Sequence, residues 1–233
     1  MIEGVTSATS STVLRLAAVV LDFDGVILDS ETAEFESHRL VFERFGVTLR
    51  PEEWRGQIGV FEEGQRGRWH ARLKTRGAGV PPLDQFEEEV RQRFRELLPA
   101  SPMAGILDML HALEHARIPV AIASASPASW VVPAASRIGI AQRVRTIVSA
   151  DDVGRRKPEP DVYVEALRRL DVEPGRSVAI EDSSPGIAAA RAAGLKTVAI
   201  PHWLTEAHDL SGAHLRVASA GDLSLSVLEA LLA

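Results

Sequence analysis

The chain has 233 residues and a net charge of −6, with 45% apolar and 25% charged residues, ordinary proportions for a globular protein with a sizeable core. The negative balance argues against nucleic acid as the main partner. The absence of cysteine excludes disulfides and thiolate chemistry and suits a reducing compartment without proving one.

Residues 1 to about 12 are rich in Ser and Thr and lack a basic start, so they read as a flexible tail. The apolar run that follows is too short for a membrane span and ends in acids, so neither membrane nor signal peptide is expected and the default location is the cytoplasm. That run, Leu14 to Leu21, is aliphatic and β-branched, which predicts a strand buried on both faces of a parallel sheet. It stops at Asp22 and Asp24, with Gly25 after them. Alternation along a strand would put the two acids on one side, at the end where open parallel sheets bind ligands. Two carboxylates so close are poorly tolerated without a cation. An acidic turn closing a strand would use the same residues.

Ser30 reads as the N-cap of a helix over Glu31 to Phe45, closed by Gly46. Residues 51 to 98 show no strand pattern; Pro51 to Gln57, Glu62 to Arg76 and Asp84 to Leu98 read as helices broken by Gly59, Gly77, Gly79 and Pro81-Pro82. So long a helical stretch after one strand reads as an insertion that caps the strand end. From Met103 the pattern alternates. Helices are expected at Met103 to Arg117, Pro127 to Arg137, Pro160 to Leu170, Pro185 to Ala193 and Leu223 to Leu232. Strands are expected at Ile118 to Ser124, Val144 to Ser149, Ser177 to Glu181, Leu195 to Ile200 and Leu215 to Ala218. Strands alternating with helices of this length predict an α/β doubly wound, Rossmann-like parallel sheet. The expected division is a core of residues 13–30 and 99–233 with an α-helical cap domain of residues 31–98.

The strand ends carry polar groups: Asp22 and Asp24 on the first, Ser124-Ala125-Ser126 on the second, Glu181-Asp182 on the fourth, with Lys157 in the loop after the third. A parallel sheet gathers all of them on one edge. Lysine is scarce here, since only Lys74, Lys157 and Lys196 stand among 26 basic residues, and a retained Lys suggests a site that needs a compact ammonium.

These motifs, in this order, resemble the haloacid dehalogenase superfamily in its capped subfamily I, and within it the β-phosphoglucomutase-like group of sugar-phosphate phosphatases and mutases. The resemblance spans the chain and is closest from Val148 through Lys157-Pro158-Glu159-Pro160-Asp161 to Val178-Ala179-Ile180-Glu181-Asp182-Ser183-Ser184-Pro185-Gly186. It implies that Asp22 is the nucleophile of phosphoryl transfer and that Asp24 is general acid and then general base. The true dehalogenases of the superfamily lack the second Asp. It further implies that Ser124 and the Ala125 amide hold a phosphoryl oxygen and that Lys157 neutralises charge beside Asp22. Asp22, the Asp24 carbonyl, Glu181 and Asp182 would hold Mg²⁺, and a monomer is the default of this branch.

Three departures favour a phosphatase acting on a small phosphorylated metabolite, most simply a sugar phosphate, over the mutase. The mutases' His ten residues after the second Asp is Glu34 here. The cap loop, Arg55-Gly56-Gln57-Ile58-Gly59, lacks the Arg that grips a second phosphate. The Lys-Asn pair after the Ser-Ala-Ser is Pro127-Ala128. Glu34, Arg55 and Gln57 are therefore the candidates for substrate specificity. A non-catalytic, receiver-like phosphate-binding protein is the remote alternative, set aside because both acids are kept and a cap is inserted. His111 and His115 lie four apart on a helix without a third zinc ligand, and the Arg-rich stretches at 66–69 and 91–95 read as solvated cap faces.

Overall fold

A computed structural model describes residues 16–58 and 65–233. The expected tail, residues 1 to 12, lies outside the described residues, as does the start of the helix expected from Glu62.

Six strands form one parallel sheet: β1 (Ala18–Leu21), β2 (Val120–Ala123), β3 (Thr146–Val148), β4 (Ser177–Glu181), β5 (Lys196–Ala199) and β6 (Leu215–Arg216). Their order is β3-β2-β1-β4-β5-β6. The chain winds outward from β1 to β3, returns, and winds the other way from β4, so the switch point lies between β1 and β4. In register, Leu21 pairs with Ile122 on one side and Ile180 on the other, which brings the ends of all three strands level.

β1 and β4 are buried along their whole length, as the unbroken apolar run requires. Val19 and Leu21 face one layer, with Ile106, Leu110 and Val131 from α5 (Ile106–His115) and α6 (Ala128–Arg137). Val20 faces the other, with Tyr163, Ala166 and Ala190 from α8 (Asp161–Leu170) and α9 (Ser184–Ala192). Alternation along the strand thus splits one sequence between two cores. A short helix, α7 (Ala150–Val153), occupies the loop before Lys157, and α10 (Leu225–Ala230) ends the chain.

Between β1 and β2 come α1 (Ser30–Arg44), α2 (Pro51–Trp54), α3 (Gln65–Arg76) and α4 (Leu83–Leu97). They build a separate core of Phe35, Phe42, Trp54, Trp69, Leu73 and Phe86, among others. One member, Leu204, comes from the loop after β5. Among the described residues no helix is long and apolar enough to cross a membrane.

Two expectations need correction. The N-cap of α1 is Asp29, whose side chain accepts from the Thr32 amide; Ser30 is the first helical residue and its hydroxyl is turned to Asp24 instead. The stretch at 66–69 is only in part a solvated face: Arg68 is exposed, but Trp69 is buried in the helical core and Arg66 lines a cavity. The stretch at 91–95 is solvated only in part: Arg91 and Arg95 pair with Glu87 and Glu88, whereas Phe94 turns inward to line the cavity against Trp130.

The helix expected from Met103 begins at Ile106 because Gly105 precedes it at φ +81°. A Cβ there would also run into the backbone of Gly221. Gly105→Ala is expected to cost about 1–3 kcal/mol, lowering the melting temperature by about 2–12 °C. Thermal unfolding checks this, and an unchanged melting point would refute it.

Candidate active site

The loop after β1 makes the first half of the site. Strand pairing ends at Leu21, so the expected alternation does not carry through to Asp24. Gly25, at φ +82°, turns the chain back, and a Cβ on it would collide with the Asp182 carboxylate. This turn sends the two acids to different partners around one cavity.

Asp22 points toward the α8 side. Its Oδ1 lies 2.5 Å from Lys157 Nζ, and the same ammonium lies 2.5 Å from Glu181 Oε1. Tyr163 donates to that Glu181 oxygen at 2.6 Å, and Ser183 Oγ donates to the other at 3.1 Å. Among the described residues, the Asp182 side chain receives only a long bond, 3.4 Å, from Thr205 Oγ1. One oxygen from each of Asp22, Glu181 and Asp182 lies within 4.8 Å of the others.

These three carboxylates are buried with a single ammonium between them. Loss of solvation pushes Asp22 up to about 7; Lys157 opposes this, while Glu181 and Asp24 reinforce it. Burial first, then Glu181 and Asp22, raise Asp182 well above the carboxylate range. For Lys157, burial disfavours the charge, but Asp22 and Glu181 outweigh it and hold the ammonium above its ordinary value. Asp22 stays high despite its bridge because burial, reinforced by Glu181 and Asp24, outweighs Lys157. A buried, all-oxygen cluster short of positive charge has the chemistry of a hard divalent cation site.

Asp24 makes the second half. Its Oδ1 accepts from Ser30 Oγ at 2.5 Å and from Trp130 Nε1 at 2.9 Å, and its Oδ2 from Ser126 Oγ at 2.7 Å. Ser124 Oγ accepts from the Ser126 amide at 3.0 Å, which leaves its own proton to donate elsewhere. Arg156 donates to the Ala125 carbonyl, fixing that peptide at the cavity edge.

The cavity between sheet edge and helical layer has a volume of about 620 Å³, ample for a small metabolite. Asp22, Asp24, Ser124, Ala125, Lys157 and Asp182 line its floor. Glu34 and Gln57 line its roof, whereas Arg55 is not among the lining residues. The roof also carries residues that sequence reasoning passed over. His38 is buried and donates through Nδ1 to the Glu34 carbonyl at 2.9 Å, and burial lowers its pKa. Buried nitrogens of His38, Trp54 and Gln57 have no hydrogen-bond partner among the described residues. Glu31, at the cavity wall, is pushed up to about 8 by loss of solvation and by Asp24, Glu34 and Asp22.

Tyr163 had one sequence signal, being the single tyrosine of the chain, on the helix that follows Lys157. Trp130 and Thr205 had none, because they reach the site only through tertiary packing.

Several known proteins are similar to this chain in sequence and fold. The family model of haloacid dehalogenase-like hydrolases matches residues 19–200. A phosphorylated carbohydrates phosphatase of Thermotoga maritima is 30% identical, the match covering 78% of this chain and 84% of that one. A haloacid dehalogenase family hydrolase from Deinococcus radiodurans, solved with phosphate and sodium, is 30% identical with a TM-score of 0.75, covering 94% and 98% of the two chains. A CbbY from Rhodobacter sphaeroides, solved as a mutant with xylulose-1,5-bisphosphate, is 28% identical with a TM-score of 0.71, covering 91% and 99%. With the family's motif residues gathered on one sheet edge, the chain belongs to the haloacid dehalogenase-like hydrolases.

Proposed function

We propose that the chain is a Mg²⁺-dependent phosphatase that hydrolyses a small phosphorylated metabolite, a sugar phosphate first among them, through an aspartyl-phosphate on Asp22. The observation that carries this reading is Lys157 Nζ at 2.5 Å from the Asp22 oxygen, in a cavity that also holds the Asp24 carboxylate.

In the first step an Asp22 oxygen attacks phosphorus, the bond to the leaving oxygen breaks, and protonated Asp24 gives that oxygen its proton. In the second, Asp24 takes a proton from water as the water attacks the phosphoryl group, and Asp22 leaves. Ser124, the Ala125 amide and Lys157 face the phosphoryl oxygens throughout. Asp22, Glu181, Asp182 and the Asp24 carbonyl would hold Mg²⁺, which supplies charge neutralisation for Asp22 and the phosphoryl oxygens. The helical layer, residues 31–98, acts as the cap that shuts water out.

The lining charges support a monophosphate. Among the described residues six carboxylates face the cavity (Asp22, Asp24, Glu31, Glu34, Glu87 and Asp182) against the three cations Arg66, Arg156 and Lys157. Lys157 and Arg156 are already engaged by Asp22, Glu181 and the Ala125 carbonyl, which leaves Arg66 on the roof side as the lining cation placed to meet a second phosphate. A mutase, which must hold a bisphosphate, would meet its second phosphate with that one cation among the described residues, and is the weaker reading for that reason.

The test is a screen of phosphorylated metabolites for free phosphate and for isomers. Phosphate release with Mg²⁺ is expected, and chelation should abolish it. An isomerised sugar phosphate as the main product, or release indifferent to chelator, would overturn the proposal.

A further inference from the structure

Asp24 is held by three donors, and they differ chemically. Ser30 and Ser126 hydroxyls either donate or accept, whereas an indole N–H only donates. Trp130 Nε1 lies 2.9 Å from Asp24 Oδ1. The ring itself is fixed from both sides of the cavity. Phe23, next to Asp24 in sequence, meets it edge-on at 6.5 Å, and Phe94 of α4 lies 5.2 Å away. The N–H direction is therefore set by packing, and one packing partner belongs to the helical layer.

We infer that Trp130 is a positioning residue for Asp24. Its N–H commits Oδ1 to accepting and so leaves Oδ2 as the oxygen that carries the transferred proton. This rests on the reading of Asp24 as the proton-transferring carboxylate. In the first step the proton on Oδ2 passes to the leaving oxygen as its bond to phosphorus breaks, and Ser126 Oγ, 2.7 Å from Oδ2, turns to donate to the carboxylate left behind. In the second step Oδ2 takes the proton of the attacking water. Oδ1 keeps its indole donor in both, so the carboxylate does not swing between steps. A carboxylate free to rotate would present the wrong oxygen for part of the time, which lowers the productive fraction without altering substrate binding.

The experiment compares kcat/KM for two monoesters, one of a primary alcohol and one of an acidic phenol, in wild type, Asp24→Asn and Trp130→Phe. The alcohol needs a proton to leave and the acidic phenol does not. Because kcat/KM ends at the first irreversible step, breakdown of the phosphoryl-enzyme does not enter it. Trp130→Phe deletes the N–H together with one ring of the indole, so it also loses part of the packing on Phe23 and Phe94. Its alcohol-ester kcat/KM is expected to fall by about 10- to 100-fold, a part of the 10²–10⁴ that acid–base catalysis supplies, while the phenol ester changes by less than about threefold. The phenol ester doubles as the control for folding. Replacing the indole by its sulfur isostere, benzothienylalanine, should give the same selective loss without any change of ring size.

Equal losses on both esters, or no loss in either variant, would make Trp130 a packing residue and overturn the inference. If Asp24→Asn itself shows no preference between the esters, the acid–base role of Asp24 falls and the inference with it. Selective loss in Asp24→Asn without selective loss in Trp130→Phe overturns the inference alone.

Discussion

Asp22→Asn is expected to abolish phosphate release, by at least about 10⁴-fold, because removing the attacking atom leaves only binding and charge stabilisation to act. The fold should survive. The amide keeps the size of the carboxyl and still offers Lys157 an acceptor, while one charge leaves a crowded group of acids. The substitution also has a pH signature in metal-free protein. The Asp22 carboxyl sits at about 7 in the folded chain against an ordinary 3.8, so between those values the folded state keeps a proton that the unfolded state has lost. Stability is then whole below about pH 4 and declines as pH rises toward 7. Asp22→Asn removes that contribution, so its melting temperature should fall less than wild type across the same window. Thermal unfolding in chelator from pH 4 to 8, beside a phosphate-release assay, reads both effects. Retained activity would remove Asp22 as nucleophile, and a pH slope equal to wild type would remove the account of its burial.

How far the sequence reached depended on whether the information was local. The strand Ser177–Glu181 runs between its expected bounds, since its apolar run is bracketed by polar residues and its neighbours impose nothing further. Of the strand expected from Leu14, residues 14 and 15 lie outside the described residues, Leu16 and Ala17 are not strand, and β1 runs over Ala18–Leu21, where β2 and β4 offer it partners; extent in a sheet is set by neighbours distant in sequence. The N-cap expected at Ser30 falls on Asp29, and the helix begins one residue early at Ser30, because Asp24 competes for the serine hydroxyl, a contact that no capping preference contains. Asp22, Lys157, Glu181 and Asp182 were legible because the strand-end pattern and the parallel topology together imply their meeting. Lys157 beside Asp22 was expected as well, but the remaining contacts were not. Glu181 emerges as the anchor of Lys157 and Tyr163, and the Asp24 carboxylate as the end point of an indole contributed from 106 residues further along. Charged runs misled at Arg66, where composition described a solvated face and packing turned the helix inward.

Lys157→Met is expected to damage stability and activity together, and the reason separates this lysine from the other two. Lys74 is exposed and Lys196 partly so; replacing either should change stability by no more than about 0.5 kcal/mol. The Lys157 side chain is only 4% exposed and sits 2.5 Å from two carboxylates. Without it, Asp22, Glu181 and Asp182 share a buried space with no cation, and breaking a buried pair in this way costs about 3–5 kcal/mol. The pH sign follows from the same charges. In wild type the lysine, raised above its ordinary value by Asp22 and Glu181, keeps its own stabilising charge below about pH 10 and loses it only above. In Lys157→Met the carboxylates must instead stay protonated to remain buried, so the variant should be most stable in acid and lose stability steeply as pH rises through neutrality. Mg²⁺ reverses this by binding the folded state, so the rise in melting temperature on adding Mg²⁺ at pH 8 should exceed that of wild type. Turnover should stay low even when Mg²⁺ restores the fold, because in the proposed mechanism the ammonium also faces the transferred phosphoryl group. Lys157→Arg should not rescue it, since a planar five-donor fork does not fit where a compact point charge lies equally close to two oxygens. A Lys157→Met protein that melts like wild type at pH 8 without metal would show that the three acids do not need a cation among them.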